Sequence, residues 1–171
     1  MQFFITYFKK DIFPISLILI LSFSRLIPHP PNFTPIIAAT ILSSIFFNKS
    51  TKSISVVIIS FLITDIILGF YPSMMITYLS LILLILLSHN FFTSVNFKNL
   101  FFYSLTSSVI FFLLSNFGFW MFSGLYEISF SGLLKCFYMA IPFFKNTILS
   151  TIIFSYTFLV IYKLPKNYSI K

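Results

Sequence analysis

Between Asp65 and Lys98 the chain runs for 32 residues, Ile66 to Phe97, without one Asp, Glu, Lys or Arg. No water-facing surface can be built from such a stretch, since soluble domains charge roughly a quarter of their residues. The rest of the chain is of the same kind: 58% of its 171 residues are hydrophobic and 8% are charged. A soluble globule is excluded. At about 20 residues per crossing, six membrane helices use roughly 120 residues and leave about 50 for connections. The expectation is one all-α, polytopic transmembrane bundle over residues 1–171.

Breakers and polar turns place the six spans at about 12–28, 35–47, 54–71, 74–92, 100–117 and 146–163. Lys9 and Lys10 before a short apolar run mimic a signal peptide, but in so apolar a chain the run reads as an uncleaved first span. His29-Pro30-Pro31-Asn32-Phe33-Thr34-Pro35 cannot be helical, because prolines remove donors and fix φ. Thr34 reads as the N-cap of the second span, with Pro35 at its first helical position. Gly118 to Gly132 is too broken for a span. Residues 133–141, before Pro142, read as a short interfacial or re-entrant helix.

Charge gives the orientation. In the six-span layout Lys9, Lys10, Lys49, Lys52 and Lys98 share one side with Lys163, Lys166 and Lys171, while Arg25, Lys135 and Lys145 lie on the other. Positive residues mark cytoplasmic loops. Both termini are therefore expected in the cytoplasm, with the chain multi-pass in the inner membrane; a five-span layout would strand the C-terminal lysines outside. Lysines scattered singly or in pairs between apolar runs do not make a nucleic-acid-binding surface. One cysteine and two histidines provide neither an internal disulfide nor a metal cluster. Metalloprotease, nucleophile-elbow and phosphate-loop motifs are missing, as is a pair of membrane carboxylates. The expectation is a non-enzyme with no catalytic residue, cofactor or metal.

Against ten lysines the single arginine, Arg25, stands out, because a guanidinium can pair bidentately where an ammonium cannot. It lies about one turn before Pro28, near the outer end of the first span. Asp65 lies about six residues, roughly 9 Å of helix, inside the outer end of the third. Charges at matched depth in a membrane seek a partner or a cavity. An Arg25–Asp65 pair is expected, either locking helices together or bordering a solute pocket. Asn116 and Trp120 flank a Gly118 joint at the outer end of the fifth span, where the alternative is an interfacial aromatic belt. His29 and Asn32 sit in the proline loop. His89 reads as interfacial and Cys136 as an apolar filler, and the 26 phenylalanines read as lipid-facing. The second helix carries small residues, with Ala39 and Ser43 one turn apart on a face suited to close helix contact.

The strings Arg25-x-x-Pro28-His29-Pro30-Pro31-Asn32-Phe33-Thr34-Pro35, Asp65-x-x-x-Gly69-Phe70, Ser115-Asn116-Phe117-Gly118-x-Trp120 and Ile141-Pro142-Phe143-Phe144-Lys145-Asn146-Thr147 resemble an uncharacterised bacterial integral-membrane family grouped with transport proteins. More remotely, the Pro-Asn-Phe-x-Pro loop before a short Ala-containing helix, and the charged span closing in Leu-Gly, are similar to the substrate-binding S components of energy-coupling factor transporters. Ser43 and Ser44 stand where those proteins commonly carry glycine. The resemblance implies a six-helix solute-capture subunit that works with a transmembrane coupling protein and paired ATPases. Arg25, His29, Asn32, Asp65, Asn116 and Trp120 are then the candidate ligand-binding residues, and Ala39 and Ser43 the candidate docking face. Besides lipid, the expected partners are a small-molecule solute and those subunits, and no nucleic acid. The alternative is a structural or assembly membrane protein with no ligand.

Overall fold

The computed structural model describes residues 12, 15, 16, 18–20, 22–92 and 96–163. Lys9, Lys10, Lys166 and Lys171, and with them both termini, lie outside the described residues. The described positions between 12 and 23 are helical and lead into a 3-10 turn at Ser24–Leu26. Five α-helices follow: α1 (Ile36–Phe46), α2 (Ser50–Leu68), α3 (Met74–Phe91), α4 (Phe97–Phe122) and α5 (Phe130–Lys163). Four of them, α2 to α5, are long and apolar enough to cross a membrane. The chain is an all-helical protein of membrane composition.

The short helix α1 is the centre of the bundle, and with its flanking loops it returns the chain from the proline-loop end to the lysine-bearing end. Its 11 residues span about 16 Å at 1.5 Å per residue, against a hydrocarbon core of about 30 Å. Every residue from Ile37 to Ser44 is buried. One face, with Ala38, Ala39 and Leu42, packs among Ile18, Val57, Phe61, Ile85 and Phe158. The opposite face, with Ile37 and Ile41, meets Leu84, Leu100 and Leu159. A helix apolar all round belongs in a core. This corrects the docking expectation: Ala39 and Ser43 are each 0% exposed, so the small face receives the chain's own helices. Thr34 does not cap α1 either. Pro35 occupies the cap position, with no side-chain cap bond.

Two further boundaries differ from expectation. Helix α4 runs past Gly118 and Trp120 to Phe122, because Gly118 is where α3 crosses it: a Cβ there would collide with Ile76. Helix α5 is continuous for 34 residues through Pro142, joining the two pieces expected at 133–141 and 146–163. Proline removes the N–H that would bond the carbonyl of Tyr138 and strains the turn. Membrane helices tolerate this where neighbouring groups re-satisfy the backbone.

Lys49 and Lys52 at the start of α2, Lys98 at the start of α4 and the end of α5 gather at one end of the bundle. There Ser53 Oγ donates to Ser43 O at 2.9 Å and accepts from His89 Nε2 at 2.8 Å, tying α1, α2 and α3 together. Tyr156 Oη donates to Phe97 O at 2.6 Å, tying α5 to α4. The buried polar positions among the described residues are all Ser or Thr apart from Asp65. Most bond back to a carbonyl of their own helix, as Ser60 does to Val56 O and Thr151 to Thr147 O, and so thin the helix contacts; the hydroxyls of Ser88, Ser104, Ser107 and Ser155 are buried without a hydrogen-bond partner among the described residues.

Candidate functional site

At the other end of the bundle the prolines stop the first segment and leave Arg25 on the 3-10 turn, facing α2. Arg25 Nη2 donates to Asp65 Oδ1 at 2.6 Å, and Nη1 donates to Thr64 Oγ1 at 2.7 Å. The Arg25 Cζ lies 5.0 Å from the centroid of the Phe61 ring. The side chains of Arg25 and Asp65 are 11% and 2% exposed. Tyr78 Oη on α3 donates to Asp65 Oδ2 at 2.6 Å, so each carboxylate oxygen has its own donor. Thr64 in turn donates to Phe61 O at 2.8 Å. The pair expected at matched depth is therefore part of a three-element lock.

Tyr78 and Thr64 escaped the sequence reading. A signal for Tyr78 exists in hindsight. Helices α2 and α3 form a hairpin about Gly69 to Ser73, with Asp65 three residues before the end of α2 and Tyr78 four after the start of α3, so they stand nearly level. Gly69 makes the turn with φ of 94°, a region open to glycine at little steric cost.

Beside the lock lies a cavity of about 1110 Å³. Arg25, His29, Asn32 and Thr34 line it from the first segment and the proline loop, and Ile36 and Ile37 from the first turn of α1. Tyr71, Ser73 and Thr77 close the side toward α3. Phe111, Ser115, Asn116 and Phe119 come from α4, with Tyr126 from the loop beyond. Helix α5 supplies Cys136, Thr147 and the stretch from Tyr138 to Phe143 around Pro142. The broken backbone at Pro142 thus borders the cavity, as does the N-terminal end of α1, whose first N–H groups have no partner within the helix.

The loop is held in place. Phe33 N donates to Pro30 O at 3.0 Å, and Asn32 sits at φ of 60°, a left-handed conformation that Asn adopts more readily than most residues. Asn146 Nδ2, one turn beyond Pro142, donates to Pro31 O at 2.9 Å. His29 Nδ1 donates to Pro30 O at 2.9 Å, which leaves Nε2 as an acceptor. Asn116 Nδ2 donates to Phe112 O on its own helix at 2.8 Å, so its Oδ1 is the amide atom able to accept. Burial pushes the Tyr71 phenol above its ordinary pKa, so it stays neutral and able to donate.

Of the six expected ligand-binding residues, the cavity brings together Arg25, His29, Asn32 and Asn116. Asp65 lies behind Arg25, 1% exposed and outside the lining. Trp120 is turned away: its indole N–H donates to Glu127 O at 2.9 Å, and its ring lies 5.5 Å from Phe117. The aromatic walls are instead Phe119 and Tyr126, which meet edge to face at 6.3 Å, together with Tyr138 and Phe143. Among the described residues no group of three His, Cys, Asp or Glu could hold a metal.

A family model described as "Family of unknown function (DUF6580)" matches residues 7–170. No curated protein and no solved structure matches the chain.

Proposed function

We propose that this chain, which belongs to the DUF6580 family of unknown function, captures a small solute in the membrane and hands it on without chemical change. The observation that carries this reading is the cavity beside Arg25. At about 1110 Å³ it has the size of a small-molecule site, mostly apolar with a few convergent polar groups. Arg25 and the free N–H groups of α1 offer donors to a carbonyl or similar acceptor, and Asn116 Oδ1 offers an acceptor. Phe119, Tyr126 and Tyr138 offer faces to a flat apolar part. A short helix whose N-terminus opens on a site beside irregular backbone is a device that membrane transporters use to bind polar groups.

In this reading the chain is an S-component-like subunit in the cytoplasmic membrane, its lysine-bearing end and both termini inside and the cavity facing out. With no nucleotide-binding loop in its sequence, it works with a coupling membrane protein and ATPases. That partner docks on a surface other than Ala39 and Ser43, which the chain's own core occupies. A structural role is the second reading, favoured by the saturation of Asp65 by Arg25 and Tyr78.

Mass spectrometry of small molecules and proteins that co-purify with the chain separates the two. Solute capture predicts a bound molecule that is lost when Ser115→Phe fills the cavity in a folded protein. A molecule retained at wild-type occupancy by that variant, or a wild-type protein that carries none and takes up none, overturns it.

A further inference from the structure

Resting on the capture reading, we infer that the cavity admits neutral solutes and excludes singly charged ones. Arg25 is the one Asp, Glu, Lys or Arg among the cavity's described lining residues. Its charge is already cancelled inside the protein, because Asp65 bonds it at 2.6 Å from a position 1% exposed. Tyr78 holds the second carboxylate oxygen, so Asp65 cannot turn away to release Arg25 without breaking another bond.

An anion entering here would have to compete with a closer, better-buried carboxylate, and a cation would meet the guanidinium first. In either case one charge of three would be left without a partner in a medium of low dielectric, where unpaired charges are costly. Apart from the His29 imidazole, the remaining polar lining is made of hydroxyls and amides, among them Asn32, Ser73, Thr77, Ser115, Asn116 and Thr147. Glu127, Lys135 and Lys145 are exposed and outside the lining, where solvent and salt screen them. What suits the site is a neutral, partly flat molecule that brings a carbonyl or similar acceptor to the remaining N–H groups of Arg25 and to the first turn of α1.

Cys136, the chain's one cysteine, lines the cavity from a buried position, 2% exposed with its thiol donating to Asn116 O at 3.6 Å, so a reagent must enter the cavity to reach it. The probes are three methanethiosulfonates of related size that bear hydroxyethyl, sulfonatoethyl or trimethylammonioethyl groups. Each joins the Cys136 sulfur as a disulfide with loss of methanesulfinate. Rates on the full chain in lipid nanodiscs at pH 8 are divided by the rate of the same reagent with 2-mercaptoethanol. The neutral reagent is expected to be faster than both charged ones by about tenfold or more, a modest effect beside the cost of leaving a charge unpaired in low dielectric. In Asp65→Asn, where Arg25 is no longer cancelled, the sulfonate reagent should gain about tenfold.

The wild-type comparison needs no variant, so the inference does not depend on Asp65→Asn folding. Equal normalised rates for the neutral and sulfonate reagents on the wild type overturn it and leave a cavity that accepts anions. An unchanged sulfonate rate in folded Asp65→Asn overturns the cancellation. No labelling by any of the three, at Cys136 or at a cysteine introduced by Ser115→Cys on the less buried wall of the same cavity, overturns the capture reading itself, since the cavity would not be open to solutes.

Discussion

Arg25 and Asp65, forty residues apart in the chain, meet at 2.6 Å with their side chains 11% and 2% exposed. The cost of burying each charge is offset only while the other is present. Arg25→Leu or Asp65→Leu should therefore each lower stability by about 3–5 kcal/mol, read as a shift in the detergent or denaturant midpoint. The double change should recover much of that loss. A double mutant no more stable than either single would show that the pair is not the main partner of either charge.

Tyr78 provides a gentler test of the same lock. Tyr78→Phe leaves Asp65 Oδ2 buried without its donor and should cost about 1.5–3 kcal/mol, the range for bonds to charged groups. The same change at Tyr138, which is exposed on α5, should move the midpoint by less than that. Equal effects at the two positions would remove Tyr78 from the lock.

Ala39→Leu distinguishes a core position from a docking face. Inserting a larger side chain where Ala39 is 0% exposed should destabilise the isolated chain by about 1–3 kcal/mol. A variant with wild-type stability that loses only a protein partner would return Ala39 to the surface.

The bond from Asn146 to Pro31 O pins the proline loop to α5. Its loss in Asn146→Ala should cost about 1 kcal/mol and raise hydrogen exchange at residues 29–34 more than in α3. Unaltered exchange in the loop would mean that Asn32 and the prolines hold it unaided.

Reporter fusions test the sidedness. Insertions within 48–53 and after Lys171 should report the cytoplasm, and insertions near Pro30 or within 124–129 the opposite side, as the lysine distribution requires. A cytoplasmic signal near Pro30 would invert the bundle.

What the sequence revealed, it revealed through scarcity. One arginine among ten lysines and one acid inside an apolar run marked Arg25 and Asp65, and their depths told where they meet. The central position of α1 was hidden, because lipid and protein core select the same residues and an apolar run does not say which surrounds it. Pro142 misled for a related reason. In water a mid-helix proline ends most helices, whereas here the neighbours of α5 and the lack of competing water keep it helical. Trp120 and Tyr126 exchanged roles because the residues after Gly118 continue the helix, and its rotation carries the indole to Glu127 while the loop brings Tyr126 back over the cavity.

The enclosure of α1 also constrains how the chain is made. Phe158 and Leu159, which complete the two apolar clusters around α1, leave the ribosome more than a hundred residues after it. Until they arrive, an 11-residue helix shorter than the hydrocarbon core is thick has no finished protein environment, and the uncapped N–H groups at its start face whatever the half-built bundle admits. The order of synthesis therefore sets the order of assembly: α1 is translated before most of the residues that enclose it and is packed only once α5 has followed.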